Sequence, residues 1–304
     1  MEKAKKEILE EVKEKKEKLK KLSMKIFIRK LVSNENYLRI KIIYYKLLDI
    51  FYLIRFKIIY GRFDFFNHVV IETTTYCNQR CSYCPNSKYD RGLLKNKKLM
   101  DEVLFKKIID ELQNLNYKGK IYLYLYGEPL SDERIPYFIS YIKERLPKSY
   151  VGISTNGTFL TVQLYKELIR KGVDIIVYSQ HNINIPEGTK EVKEYLKQKN
   201  KKESKFVHTV ISGDVIKNRA GEIPDRLSDP LPRCTKKDRI VVIDYSGKVI
   251  LCCNDYHSSI VFGDLNKEKL IDIYDKENYK KIREELSNRD FRLNLCKKCV
   301  GEIE

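Results

Sequence analysis

Three cysteines at C-x3-C-x2-C spacing, Cys77, Cys81 and Cys84, lie in the stretch Thr75-Tyr76-Cys77-Asn78-Gln79-Arg80-Cys81-Ser82-Tyr83-Cys84-Pro85-Asn86. Iron favours thiolate ligands, and closely spaced cysteines on one loop can hold several corners of a cubic 4Fe-4S cluster. Three local thiolates leave the last iron of a cube open. An open iron can bind a small molecule through oxygen and nitrogen atoms, which points to chemistry there rather than to electron storage alone. Zinc and buried structural thiols are the competing readings. Structural zinc takes four ligands, usually in spaced pairs, and no histidine lies within this loop.

The remaining cysteines are Cys234, Cys252, Cys253, Cys296 and Cys299. Cys234, Cys252, Cys296 and Cys299 supply enough thiolates for one fully ligated 4Fe-4S cluster, and would satisfy tetrahedral zinc equally well. Successive side chains on a strand point to opposite faces, so Cys252 and Cys253 are not expected to reach the same cluster.

The elements that must position these residues alternate. Val69 to Thr73 is a β-branched run, read as strand one, and the cysteine loop follows its end. Leu99 to Leu115 has helical spacing, with Leu99, Val103, Ile108, Ile109, Leu112 and Leu115 as its apolar points. Ile121 to Leu125 reads as strand two and ends in Tyr126-Gly127-Glu128-Pro129. A helix is expected over 133–146. Val151 to Ser154 is strand three, followed by Thr155-Asn156-Gly157. A helix over 161–170 leads to strand four, Val173 to Tyr178. A helix over 188–199 leads to strand five, Phe206 to Ile211.

Strands alternating with helices in this way read as an α/β fold with a parallel sheet. Ligands of such folds gather at the carboxyl ends of the strands. The three cysteines, Gly127-Glu128-Pro129, Thr155-Asn156, Ser179 and Ser212-Gly213 all fall at expected carboxyl ends. Past Cys234, Arg239 to Asp244 and Lys248 to Cys252 flank Tyr245-Ser246-Gly247 as a β-hairpin. Phe262-Gly263-Asp264-Leu265 reads as a turn, and Leu270 to Leu286 as largely helical.

With Tyr83 before its last cysteine and an apolar strand before its first, the loop resembles the signature of radical S-adenosylmethionine enzymes. The resemblance implies a partial (β/α)6-type TIM-like barrel. It also implies a cluster whose open iron chelates S-adenosyl-L-methionine and cleaves it to methionine and a 5'-deoxyadenosyl radical that abstracts a substrate hydrogen. Gly127, Glu128 and Pro129 resemble the family's glycine–glutamate–proline motif, whose backbone carbonyls meet the methionine amino group. Ser154, Thr155, Asn156, Ser179 and Gln180 are the further cofactor candidates, with Tyr83 beside the cluster. Arg219, in Asn218-Arg219-Ala220-Gly221, and His181 are the catalytic candidates; Arg219 could bind an anion or help remove a proton from a radical intermediate. His208 lies inside strand five, facing core or barrel lumen.

The cysteines from Cys234 onward resemble the auxiliary-cluster domain of the same enzymes in its short, single-cluster form, termed a twitch or shortened SPASM domain. The spacing from Gly247 favours Cys252 over Cys253 as the ligand. Such a cluster takes an electron. The resemblance therefore implies an oxidoreductase of dehydrogenase type acting on a small polar substrate, such as a sugar or cyclitol. A peptide-modifying maturase, or a non-enzymatic iron–sulfur protein, is the alternative. An electron donor such as flavodoxin or ferredoxin is implied as a partner. The domains are expected over 1–65, 66–233 and 234–304.

Composition bounds the rest. The chain has 304 residues, 42% hydrophobic, and a formal charge of +18. Eight grouped cysteines behind no signal-peptide pattern read as metal ligands in a reducing cytoplasm rather than a secreted disulfide scaffold. Residues 1–65 carry 18 Lys/Arg against 9 Asp/Glu, half the total excess. They read as a basic, amphipathic helical extension. It either packs on the barrel or makes peripheral contact with an anionic membrane surface. No apolar run is long enough to span a membrane. Nucleic-acid binding is disfavoured, since no recognition motif accompanies the charge.

Overall fold

Short β-branched runs build the sheet. Successive strands are β1 (His68–Ile71), β2 (Lys120–Leu123), β3 (Tyr150–Thr155), β4 (Ile175–Gln180) and β5 (Phe206–Val210). After Cys234 come β6 (Ile240–Ile243), β7 (Lys248–Ile250) and β8 (Val261–Asp264). The eight strands form one sheet in the order β5-β4-β3-β2-β1-β6-β7-β8. The structure is a computed structural model and describes residues 50–198, 205–211, 218–223, 234 and 239–303. Most of the basic extension and Ser212-Gly213 lie outside the described residues.

The chain divides into two compact units, Met1–Phe65 and Phe66–Glu304. In the first, residues 50–60 are helical. Lys57 donates to the carbonyl of Gly61 at 2.9 Å, and Tyr60 stacks on Phe65 at 4.1 Å. Among the described residues no helix is long and apolar enough to cross a membrane.

In the second unit β1 to β5 are parallel, joined by α1 (Glu102–Asn114), α2 (Ile135–Arg145), α3 (Val162–Arg170) and α4 (Glu187–Gln198). Asp101 caps α1 by accepting from the Leu104 N–H at 3.0 Å, and Thr161 caps α3 in the same way at Leu164. The buried face of α1 is Leu104, Phe105, Ile108, Ile109 and Leu112. Ile108, Ile109 and Leu112 lie on that face as expected; Leu99, which bridges Thr74 before the cap at Asp101, and Val103, in the first turn, were expected there too and are exposed.

The sixth parallel strand follows a different route from a plain barrel repeat. It is β6, and it pairs with β1, His68 opposite Ile240, rather than extending the sheet beyond β5. The hairpin β6–β7 is antiparallel, and its turn is set by Gly247 at φ +89. Strands flanking the second cysteine group are thus continuous with the strand that launches the first. Phe262-Gly263-Asp264, read as a turn, belongs to β8. Gly263 is needed there because a Cβ would strike the Ile273 side chain packed over the strand. The expected helix over 270–286 is two helices, α5 (Leu270–Tyr274) and α6 (Glu277–Ser287), broken at Asp275 and Lys276. A last helix, α7 (Asn294–Val300), carries Cys296 and Cys299 and ends at Gly301, φ +78.

Candidate active site

The cysteine loop leaves β1 and is gripped from both sides. Thr75 donates its N–H to Lys98 O at 3.0 Å, and Cys77 to Gly92 O at 3.1 Å. Cys84 closes the loop by donating to Cys81 O at 2.8 Å. Pro85 then starts a 3-10 turn over Pro85–Ser87. Arg80 reaches across to the carbonyls of Asn86 and Tyr89.

Beneath the loop lies an acid that no motif marks. Glu72 is fully buried and pairs with Arg91 at 2.5 Å. Burial pushes its carboxyl up, Arg91 opposes that, and Asp244 adds to it. Its oxygens also accept from the N–H groups of Tyr126 and Tyr245, both at 3.4 Å. The Arg91 guanidinium stands over the rings of Tyr126, Tyr245 and Tyr256, 5.4–5.8 Å from their centroids. Asn86 completes the tie, donating to Tyr126 O at 2.9 Å and accepting from Tyr256 OH at 2.8 Å. Breaking a buried ion pair by removing one partner costs about 3–5 kcal/mol. The cysteine loop, β2 and the segment after Cys252 are therefore locked together.

Gly127 follows β2 at its carboxyl end. A Cβ there would collide with the Thr74 carbonyl, so only glycine lets β2 and the loop approach. The Glu128 N–H donates to Tyr76 O at 2.7 Å. Its side chain, 3% exposed, faces inward: it accepts from Thr155 Oγ1 at 2.6 Å, the Asn156 N–H at 2.8 Å and the Leu130 N–H at 3.1 Å. Burial pushes this carboxyl up to about 7 against those donors. Glu128 thus buckles the end of β2 to the end of β3.

One cavity of about 310 Å³ collects these parts. Its lining includes all three loop cysteines, Tyr83, Gly127, Glu128, Ser154, Thr155, Asn156, Ser179, His181 and Arg219. Residues separated by 142 positions in sequence, Cys77 and Arg219, share one wall-to-wall space. Two candidates are elsewhere. Pro129 starts the 3-10 turn over Pro129–Ser131 behind the wall. Gln180 is turned to its own loop and strand, donating to Asn182 O and Ile183 O and meeting His208 at 2.8 Å. His208, expected to face core or lumen, is exposed instead, against Gln180 and Lys193. Strand β5 presents that side outward.

His181 stands 2.5 Å from Tyr83 OH through Nδ1. If the phenol oxygen accepts from His181 Nδ1–H, Nε2 is the basic nitrogen. Burial, then the charge of Arg219, pulls His181 below the ordinary histidine range. Arg219 sits on a strained turn: Arg219, Ala220 and Gly221 all have positive φ, at 50, 58 and 87. Two non-glycine residues in succession there are costly, and such strain clusters at functional sites. Asn218 holds the turn, accepting from Ala220 N–H and donating to Lys298 O at 2.7 Å. Among the described residues the buried Nε of Arg219 has no hydrogen-bond partner. A cationic donor held unsatisfied over a cavity fits a bound polar or anionic group.

The second cysteine group assembles beside this cavity. The Cys296 thiol feels Cys234 and Cys299. Asn254 donates to the sulfurs of both Cys252 and Cys299. Cys252 and Cys253 lie past the end of β7, in a turn, so strand alternation does not set their directions. They part nonetheless: Cys253 lines the cavity, and its carbonyl accepts from Tyr126 OH at 2.6 Å. Burial pushes Cys77 up to about 11 and Cys296 to about 12, with Cys81 and Cys84 moved the same way. Thiols so placed need a bound cation to ionise. Among the described residues no three His, Cys, Asp or Glu side chains close on one point as a single ion requires; a cube takes each thiolate on a different iron.

Glu72, Arg91 and Tyr124 escaped sequence reasoning, and Tyr126 and Cys253, both noted there, were not placed on this cavity.

The chain matches the model of the Radical SAM superfamily over residues 71–223 and that of an iron-sulfur cluster-binding domain, SPASM, over 234–300. It is 28% identical to the S-adenosyl-L-methionine-dependent 2-deoxy-scyllo-inosamine dehydrogenase of Niallia circulans, covering 77% of this chain and 92% of that one. Among solved structures it is similar to BtrN in complex with AdoMet and 2-DOIA, with a TM-score of 0.69, 27% identity, and coverage of 76% and 92%. A likeness in fold extends to anSMEcpe with bound AdoMet, TM-score 0.51 at 13% identity, covering 72% of this chain and 80% of that one.

Proposed function

The chain belongs to the Radical SAM superfamily, and on that premise we propose that it oxidises a hydroxyl-bearing carbon of a small, polar, sugar- or cyclitol-like substrate to a carbonyl. The observation that carries this reading is one cavity whose lining brings Cys77, Cys81 and Cys84 together with Arg219 and Cys253. The similarity to the Niallia circulans dehydrogenase supports the substrate class.

Cys77, Cys81 and Cys84 would hold a 4Fe-4S cluster supplying the electron for reductive cleavage of S-adenosylmethionine, and Cys234, Cys252, Cys296 and Cys299 would hold a second that offers an acceptor for the electron left on the substrate. The protein's own residues do the rest. Gly127 and Glu128 offer backbone to the methionine end of the cofactor, because glycine keeps that edge of the cavity bare. Ser154, Thr155, Asn156 and Ser179 present short polar groups along the same wall.

Arg219 is always charged, so it acts by holding the substrate oxygen and stabilising negative charge as the hydroxyl proton leaves. His181, kept neutral, receives that proton at Nε2. Tyr83 fixes its tautomer. A flavodoxin- or ferredoxin-like donor supplies the reducing electron. The basic segment 1–65, largely outside the described residues, carries the remaining proposal of peripheral membrane contact from a cytoplasmic location.

The test is anaerobic reconstitution followed by turnover with polyols and cyclitols deuterated at each hydroxyl-bearing carbon. Deuterium should move into 5'-deoxyadenosine, with one carbonyl formed per cofactor consumed. Cofactor cleavage coupled only to a peptide, with every small polyol inert, would replace this reading with that of a maturase.

A further inference from the structure

One residue in the turn after Cys252 touches two cluster cysteines drawn from distant parts of the chain. The Asn254 backbone N–H donates to Cys252 Sγ at 3.4 Å, and its side-chain Nδ2 donates to Cys299 Sγ at 3.3 Å. The turn itself is preformed. Asp255, 1% exposed, accepts from Ser259 N–H, Ser259 Oγ and Ile260 N–H at 2.7–2.9 Å, and donates its own N–H to Cys252 O at 3.1 Å. Asn254 is thereby held against both sulfurs by a neighbour whose hydrogen bonds leave it little freedom.

The first cysteine loop differs. The side-chain amide beside it, Asn156 Nδ2, is 4.0 Å from Cys77 Sγ and makes its short bond, 2.8 Å, to Asn78 Oδ1. Reduction adds negative charge to an iron–sulfur cluster. Hydrogen-bond donors on its sulfurs stabilise that added charge and raise the potential, while nearby anions lower it. Asp255 lies near enough to act on Cys296, so the donors of Asn254 work against its charge.

We propose that Asn254 tunes the second cluster, raising its reduction potential so that it, and not the first cluster, takes the substrate's electron. This rests on the reading that Cys234, Cys252, Cys296 and Cys299 hold that cluster. The step it serves balances as follows. The carbon radical bearing a hydroxyl loses the hydroxyl proton to His181 and one electron to the second cluster. The C–O bond becomes C=O, and the cluster is reduced by that one electron.

The test is a redox titration, followed by electron paramagnetic resonance, of the reconstituted full chain and its Asn254→Leu and Asn254→Asp variants. Leu removes the Nδ2 donor at similar size; Asp keeps the shape, removes the donor and adds charge. At unchanged iron content, the second cluster's reduction equilibrium should fall about tenfold in the Leu variant, about 59 mV for a one-electron couple, and further in the Asp variant. The first cluster, identified by its spectral response to S-adenosylmethionine, should keep its potential. An unmoved second potential at full iron content overturns the proposal. So does loss of the second cluster's iron in both variants, which would make Asn254 an assembly residue. Cys296→Ala tests the underlying reading separately: iron content equal to the parent protein's would mean that these cysteines hold no cluster at all.

Discussion

The two cysteine groups of this chain are built in opposite ways. The first spans eight residues on one loop, and all three of its thiols line the cavity. The second is gathered from the segment at Cys234, the turn after β7 and helix α7, and none of its four proposed ligands lines the cavity. Only their neighbour Cys253 does. A local loop whose thiols all line one cavity suits a metal centre that must meet a cofactor. A centre ligated by four thiolates that do not line it suits the transfer of an electron without exposure to reactive intermediates. The contrast teaches that the two groups divide initiation from completion of one reaction.

The largest expected effects break that contrast directly. Cys84→Ala should abolish both 5'-deoxyadenosine and product. Cys296→Ala should halve the iron content and abolish product, yet leave cofactor cleavage in place. Chromatography of both products from one reaction distinguishes the variants. Product formation surviving in Cys296→Ala would remove the second group from the chemistry.

A smaller effect sharpens it. Arg219→Gln loses one charged donor from the wall between the groups. Product formation should fall about a hundredfold, the usual cost of losing a donor to a developing oxyanion, while cofactor cleavage continues uncoupled. The ratio of 5'-deoxyadenosine to carbonyl product reads this out. A ratio unchanged from the parent would mean that Arg219 is not at the reacting oxygen.

The smallest effect is on stability and belongs to the first region alone. Burial raises Glu128 from its ordinary value of 4.5 to about 7. An acid raised in this way favours the folded state while protonated. Its contribution is full below the ordinary value and is lost as pH rises through about 7, a change of roughly 3 kcal/mol. Denaturant titration should show that decline between about pH 4.5 and about pH 7, and Glu128→Gln should flatten it.

Much of this architecture was legible beforehand. The strand–helix order from β1 to β5 follows from β-branched runs alternating with capped amphipathic helices, and those are local signals. Helix α1 shows the limit: Ile108, Ile109 and Leu112 were read onto its buried face, but Leu99 lies before the cap at Asp101 and Val103 in the first turn is exposed, while Leu104 and Phe105 take the buried side. Gly263 read as a turn because glycine is a breaker in isolation, whereas here it makes room for Ile273 on a strand. Gln180 and His208 were placed correctly along the chain, but rotation about the strand turns them toward each other, away from the cavity.

By itself the sequence determined the chemistry of the first loop, since three thiols within eight residues are brought together by chain connectivity alone. It also determined the glycine and the acid at the end of β2, whose residue types fit few other uses in that position. Only the tertiary structure decided that β6 lies beside β1, that Cys252 and Cys253 part company, and that Glu72 and Arg91 bind the two regions into one. Those contacts depend on strand register and side-chain packing between segments far apart in the chain. Such long-range terms are cooperative, so no stretch of sequence carries them alone.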